Sequence, residues 1–378
     1  MISSTTLRLR SLWFQVHKWI GLLLAALIIP ISLTGSALVW HDWLDETLNP
    51  QRYAVKGGEP ALPPSAYAAA AQAALAPGER VASIRYPQGE GPILVAASRP
   101  PQPGQSRPAR TNVWLDPADA RLLDTASSDA GAVRVLHVLH GSLMVPGAGR
   151  QIVGWVGVAM CLSCLTGLWL WWPLGGSPRR GFGWKRQNST SANLHHQMGF
   201  WVLLPLAMLS FTGAWISFPQ FFGRFEASPP KAAAPDRARA MQARPLEHPA
   251  MTVDAVATLA QAHATGPLAS INWPTDQAPA WKVGFVRDGG VAEVEVADAH
   301  REVTPPRPPR PETTARTMRR WHDGTGMGAV WQTIIFIGGL IPAALAVTGI
   351  IMWLRSRGWR AQLRRKRRAR RLAPQPAE

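Results

Sequence analysis

The 378 residues contain only two cysteines, Cys161 and Cys164, and both fall inside one apolar run. That excludes a disulfide framework for the polar parts of the chain. Charge is missing where it tells most. The stretches 19–40, 151–172, 198–218 and 329–354 contain no Asp, Glu, Lys or Arg. Each is long enough to cross about 30 Å of hydrocarbon at roughly 1.5 Å per helical residue, which takes about 20 residues. An ion or proton relay built from buried charges is thereby disfavoured. The chain reads as a four-helix transmembrane bundle. The N-terminal basic-then-apolar pattern is longer than a signal-peptide core and no A-x-A-like site follows it, so a retained helix is expected.

Acidic residues are scarce, 23 against 40 basic, and unevenly placed. Apart from Glu378, none lies in the N-terminus, the 174–197 connection or the tail after Arg355, where Arg8, Arg10, Lys18, Arg179, Arg180, Lys185 and Arg186 are found. Short basic loops stay cytoplasmic. The expected order is therefore an N-terminus with helix 1 (1–40), an outer domain (41–150), helix 2 (151–173), a basic cytoplasmic loop (174–197), helix 3 (198–218), a second outer domain (219–328), helix 4 (329–354) and a cytoplasmic tail (355–378). The net charge of +17 and ten basic residues between Arg355 and Arg371 invite a nucleic-acid reading. Their position directly after an apolar run marks them instead as a topological anchor that attracts anionic lipid, and no nucleic-acid partner is expected. Many of the 18 tryptophans sit near the ends of the apolar runs, as an interfacial belt requires.

The outer segments resemble each other. Pro64–Leu75 reads as a helix, followed by strand-like runs Val81–Tyr86, Ile93–Ala97 and Val113–Leu115. The second segment repeats this with a helix at Val253–His263 and runs at Ile271–Trp273, Trp281–Val286 and Ala292–Val296. The endings VWLDPADARLLD and VEVADAHREVT each read as strand, turn and short strand. Each outer segment is expected to hold a small α+β domain. Pro100–Pro108, 228–245 and Pro305–Pro311 read as linkers.

The duplication extends to the apolar part. His17 lies 17 residues before Thr34-Gly35 and His195 lies 17 before Thr212-Gly213; His140 lies 26 before Thr166-Gly167 and His322 lies 26 before Thr348-Gly349. A two-fold relation between the halves would bring His17 opposite His195 near one surface and His140 opposite His322 near the other. Two imidazoles on opposite sides of a haem make a six-coordinate electron-transfer site. Zinc would need four converging donors, which sites at opposite faces do not supply. His196 adjoins His195, His137 is one turn before His140, and His41 ends the first apolar run, so each is an alternative. His248, His263 and His300 read as surface residues. Glycine in the Thr-Gly pairs either lets helices approach closely or leaves room for a porphyrin. Cys161 and Cys164 read as small residues at a helix contact.

The motifs HKWIGL…LTG, LHGSLM…LTGLWLWW, LHHQMGFW…FTG and WHDGTGMG…VTGIIMW resemble the PepSY-associated transmembrane helix family of iron-regulated bacterial inner-membrane proteins. The resemblance spans nearly the whole chain and makes the outer domains look like PepSY modules. It implies two haem b groups held by His17, His140, His195 and His322, with the H-x-x-x-G spacing shared by His17 and Gly21 favouring His195 over His196. It also implies a ferric siderophore reductase acting on a ferric siderophore or another periplasmic acceptor, with an unknown cytoplasmic or quinol donor, while the basic flanks place both termini in the cytoplasm. A non-enzymatic PepSY scaffold for envelope or siderophore-uptake partners is the rival; a metal permease fits poorly, because the spans lack carboxylates.

Overall fold

The computed structural model describes residues 3–99, 110–174, 177–184, 187–225, 243–287, 290–306 and 312–372. The expected linker Pro100–Pro108, and most of those at 228–245 and Pro305–Pro311, lie outside the described residues, as do Lys185 and Arg186. In chain order the helices are α1 (Ser4–Leu38), α2 (His41–Leu48), α3 (Pro64–Ala74), α4 (Ala132–Ser142), α5 (Gly149–Trp171), α6 (Thr190–Trp201), α7 (Leu203–Ser217), α8 (Pro219–Phe222), α9 (Val253–Gln261), α10 (Thr314–Asp323) and α11 (Gly328–Leu372). The chain forms two compact units. Met1–His41, Leu136–Ala227 and Glu312–Glu378 make a helical unit, and Asp42–Val135 with Ser228–Pro311 makes a sheet unit.

In the helical unit, Ser4–Leu38, Gly149–Trp171 and Gly328–Leu363 are each long and apolar enough to cross a membrane. The third apolar run differs from the expected unbroken span. Thr190–Trp201 and Leu203–Ser217 meet at 65°. The cause is Pro205, which has no N–H to give the Trp201 carbonyl four residues back and whose ring crowds it. α1 packs on α11, and α5 on α7. Small residues make both crossings close. The Ser36 hydroxyl donates to the Phe336 carbonyl at 3.0 Å, and a β-carbon at Gly339 would stand 2.5 Å from that hydroxyl. At the other crossing, Gly154 and Gly157 face Ser217 and Ser210. Without a hydrophobic drive between helices in lipid, such close van der Waals contact is what holds them. Leu23, Leu165 and Leu204 point outward, each more than two-thirds exposed.

In the sheet unit the two outer segments join. β1 (Arg80–Arg85), β2 (Ile93–Ser98), β3 (Arg110–Leu115) and β4 (Leu122–Ser127) come from the first outer segment; β5 (Leu268–Asn272), β6 (Ala280–Arg287), β7 (Gly290–Ala297) and β8 (Val303–Thr304) come from the second. They join in one antiparallel sheet of order β4-β3-β2-β1-β5-β6-β7-β8. The seam is β1 against β5, with Ile84 opposite Ile271. Each segment alone would leave an unpaired edge; pairing edge to edge removes both. Alternating burial along β2 and β5 marks one covered face. There Tyr67, Ile84, Val256, Ile271, Trp281 and Phe285, drawn from both segments, form a single core. Asp254 of α9 accepts from the Ser65 amide at the start of α3 at 2.9 Å, so one repeat caps a helix of the other.

The repeats agree down to their turns. Ala120 and Arg301 both adopt the left-handed conformation, with φ of 55° and 56°. Each donates its amide to the carbonyl four residues back, of Asp116 and Ala297. A buried carboxylate braces each turn. Asp116 accepts from the Lys56 amide at 3.0 Å and the Ala118 amide at 3.1 Å. Asp298 accepts from the Ala250 amide, the Met251 amide and Trp281 Nε1 at 2.7, 3.1 and 2.8 Å. Asp298→Ala strands two buried donors, the Met251 amide and Trp281 Nε1, at about 1–3 kcal/mol each before relaxation, and frees the part-buried Ala250 amide. Amide hydrogen exchange of β6 and β7 in the full chain is expected to quicken roughly 30-fold or more, the equivalent of about 2 kcal/mol, while exchange in α5 stays unchanged.

Candidate functional site

Four histidines from the helical unit come together in two pairs. His17, on α1, and His195, on α6, have ring centres 6.3 Å apart with planes at 86°. His140, on α4, and His322, on α10, lie 5.9 Å apart at 39°. The second pair rests on short helices that precede α5 and α11, whereas the first is borne by the long α1 and by α6. The pairs lie at different depths: His17 is 14 residues before Ile31, which His140 touches, or roughly 21 Å along α1 at about 1.5 Å per residue.

Each ring is held by the Thr-Gly motif of the other apolar helix in its own half. His17 Nδ1 is 3.0 Å from the Thr166 hydroxyl and 3.3 Å from that of Ser163. His195 Nδ1 is 2.9 Å from Thr348 and His322 Nδ1 is 3.0 Å from Thr212. His140 departs in detail: its Nδ1 lies 2.9 Å from the Ile31 carbonyl, one turn before Gly35. The hydroxyl hydrogens of Thr166, Thr212 and Thr348 are spent on carbonyls three or four residues back, at 2.8 to 3.2 Å. Their oxygens therefore accept, and a carbonyl can do nothing else. All four rings carry their proton on Nδ1 and present Nε2 as a lone pair. A metal-binding histidine is oriented in this way, by an acceptor on its other nitrogen. Burial also lowers the His140 and His322 pKa values below the usual imidazole value, which favours the neutral form.

The glycines have two jobs. Those of the Thr-Gly motifs make room for imidazole: a β-carbon at Gly35 would lie 2.6 Å from His140 Cε1, and at Gly167 and Gly213 it would lie 3.2 and 3.1 Å from the same atom of His17 and His322. Gly21 and Gly199, one turn after His17 and His195, face open space; a side chain at Gly21 would meet nothing within 4 Å, and at Gly199 only Leu345 at 4.0 Å. Both line a cavity of about 950 Å³ that also takes in His17, His195 and the basic residues Arg10, Lys18, Arg355 and Arg357. That is the upper end of the roughly 300–1,000 Å³ of small-molecule sites. Two imidazoles bound through Nε2 to one metal at about 2 Å each hold their ring centres roughly 6 Å apart. Both pairs have that separation. Among the described residues no three His, Cys, Asp or Glu converge on one point. Paired neutral nitrogens, space left by Gly21 and Gly199, and basic groups at one end suit a flat, anionic metal macrocycle such as haem.

The alternatives in the sequence have other places. His196 Nε2 donates to the Gly181 carbonyl at 3.1 Å, and its ring stacks on Trp171, so that nitrogen is committed to the 177–184 turn. His137 faces His41. His248, His263 and His300 are exposed. Cys161 and Cys164 are free thiols; Cys161 contacts the Ala207 carbonyl at 3.8 Å, as a small residue at a helix contact does. Arg10 was legible only as a topological charge. Its guanidinium in fact donates to the carbonyls of Leu170 and Trp172 at 2.5 and 3.0 Å, closing the end of α5.

The family model described as the PepSY-associated TM region matches residues 14–356, and the chain belongs to that family. It is a membrane protein. A search of curated proteins finds no match. A methyl at residue 349 would sit 3.7 Å from His195 Cε1, against 2.6 Å for one at residue 35 from His140. Overpacking costs about 1–3 kcal/mol, whereas helical Gly→Ala in open space gains up to about 1 kcal/mol. Gly35→Ala is expected to lower the thermal midpoint in detergent by at least about 3 °C, and Gly349→Ala to leave it level or raised, as followed by circular dichroism.

Proposed function

We propose that the protein is a di-haem electron carrier of the bacterial inner membrane, passing electrons from a cytoplasmic or quinol donor to a periplasmic acceptor, and that this acceptor is a ferric siderophore. The observation that carries the reading is the pair of imidazole pairs, 6.3 and 5.9 Å between ring centres, each joining the two halves of the duplicated chain. Bent α6–α7 counts here as one span, giving four. The orientation rests on the basic residues. α1 and α11 run antiparallel, since Ser36 near the end of α1 meets Phe336 near the start of α11. Arg8, Arg10, Lys18, Arg355 and Arg357 therefore share the His17–His195 end, which is assigned to the cytoplasm. The His140–His322 end then faces the periplasm.

Haem bound between each pair would supply a one-electron ferric–ferrous couple. The chain's own residues do the rest. Thr166, Thr348, Thr212 and the Ile31 carbonyl hold the Nδ1 protons, so every ring offers its Nε2 lone pair without rotating. The two imidazoles of each pair would hold the iron, and the chemistry the group would supply there is electron transfer. Arg10, Lys18, Arg355 and Arg357 supply positive charge for carboxylates in the cytoplasmic cavity. Reduction of a ferric chelate by one electron gives ferrous iron, a less charged and softer centre that oxygen donors hold weakly.

A pyridine haemochrome assay of purified full-length protein is expected to give about two haem b per chain, with a Soret band that sharpens and shifts on dithionite. His17→Ala and His195→Ala should each reduce the count to about one, while His196→Ala keeps about two. Protein with no Soret band, or a count indifferent to His17 and His195, would overturn the reading in favour of a scaffold whose histidines only tune packing.

A further inference from the structure

The two imidazole pairs differ in twist. The planes of His17 and His195 stand at 86° and those of His140 and His322 at 39°, although the ring centres are almost equally far apart. Rings bound through Nε2 to opposite sides of one metal share the axis through it, so the angle between their planes is the twist about that axis. The anchors differ in step with the angles. At the first pair both rings give Nδ1–H to a threonine hydroxyl, Thr166 and Thr348, in corresponding places of the two halves. At the second, His322 uses Thr212, but His140 takes the Ile31 carbonyl in place of the corresponding Thr34. Like anchors go with crossed rings, and unlike anchors with rings nearer to parallel.

Twist matters to a metal with partly filled d orbitals, because ligand orientation tunes it. Each imidazole π system overlaps one of the two iron d orbitals that point partly along the ligand axis. Parallel rings act on the same orbital and split the two, which stabilises the ferric ion by placing its unpaired electron in the raised level. Crossed rings act on one each and leave the two close in energy, so the ferric ion keeps more orbital angular momentum and gains less stabilisation. Charge works in the same direction. Arg10, Lys18, Arg355 and Arg357 line the cavity of the crossed pair, and positive charge favours the less positive ferrous ion.

On the di-haem reading, we propose that Thr166 and Thr348 are positioning residues that hold His17 and His195 crossed, and that this makes the cytoplasmic site magnetically the more anisotropic and the higher in potential, the first to take an electron. One electron from the donor converts that site from ferric to ferrous, with no bond made or broken. The inside-negative membrane potential then favours its passage outward to the second site.

Electron paramagnetic resonance of frozen, oxidised full-length protein in detergent is expected to show two low-spin ferric signals, one markedly more anisotropic than the other. His17→Ala should remove the more anisotropic signal and His322→Ala the other. In a redox titration followed by the same signals, the more anisotropic one should disappear first as dithionite is added. His17 also has the Ser163 hydroxyl at 3.3 Å, so Thr348 is the position to alter. Thr348→Val should reduce the anisotropy and lower the potential of that signal alone, and Thr348→Ser, which keeps the hydroxyl, should restore both. Two signals of equal anisotropy, or loss of the more anisotropic one in His322→Ala, overturn the inference and leave the di-haem carrier standing. So does Thr348→Val with both signals unmoved. Protein with no ferric haem signal rejects the carrier, and the inference falls with it.

Discussion

One hydrogen bond, repeated with small variation, organises the helical unit: the Nδ1–H of a histidine given to an oxygen beside a Thr-Gly motif. In lipid a polar side chain without a partner costs several kcal/mol, so each ring must be anchored wherever it lies. Each anchor stays within one half of the chain: α1 to α5, α4 to α1, α6 to α11 and α10 to α7. The same bond fixes the tautomer and so decides which nitrogen faces the opposite half. Packing and ligand geometry are thus one requirement, and Gly35, Gly167 and Gly213 are the small residues that let three of the rings come close.

Across the halves the fold works by a different rule. Ser36, Gly339, Gly154 and Gly157 let backbones touch where α1 crosses α11 and α5 crosses α7. In the sheet unit the corresponding event is edge pairing, with β1 and β5 sealing each other and Asp254 capping the other repeat's helix. A duplicated chain meets itself in both units, through van der Waals contact in the apolar unit and main-chain hydrogen bonds in the polar one. Neither repeat completes its core alone, which is why Tyr67 and Trp281 share one cluster.

Much of this was legible beforehand. The absence of charge over 19–40, 151–172 and 329–354 marks three spans directly, and period-two alternation finds β1 to β3 and β5 to β7 within a few residues. The equal spacings of His17, His140, His195 and His322 from Thr-Gly pairs single out those four. Less visible was what the threonines do, because a hydroxyl that bonds back to its own helix looks the same in sequence whether or not a histidine also reaches it. The partners of His196 and His137 were equally hidden, since each lies within one helical turn of a residue with a different role.

Sequence alone therefore determined the elements and the duplication, because hydropathy period and repeat spacing are local or self-referential properties of a chain. Tertiary structure alone decided what those elements join to. Whether two strand edges close into one sheet of eight, and whether His17 meets His195 and His140 meets His322, depend on contacts between residues more than 100 positions apart. Such contacts are set by the shape that remains once every other surface has been packed.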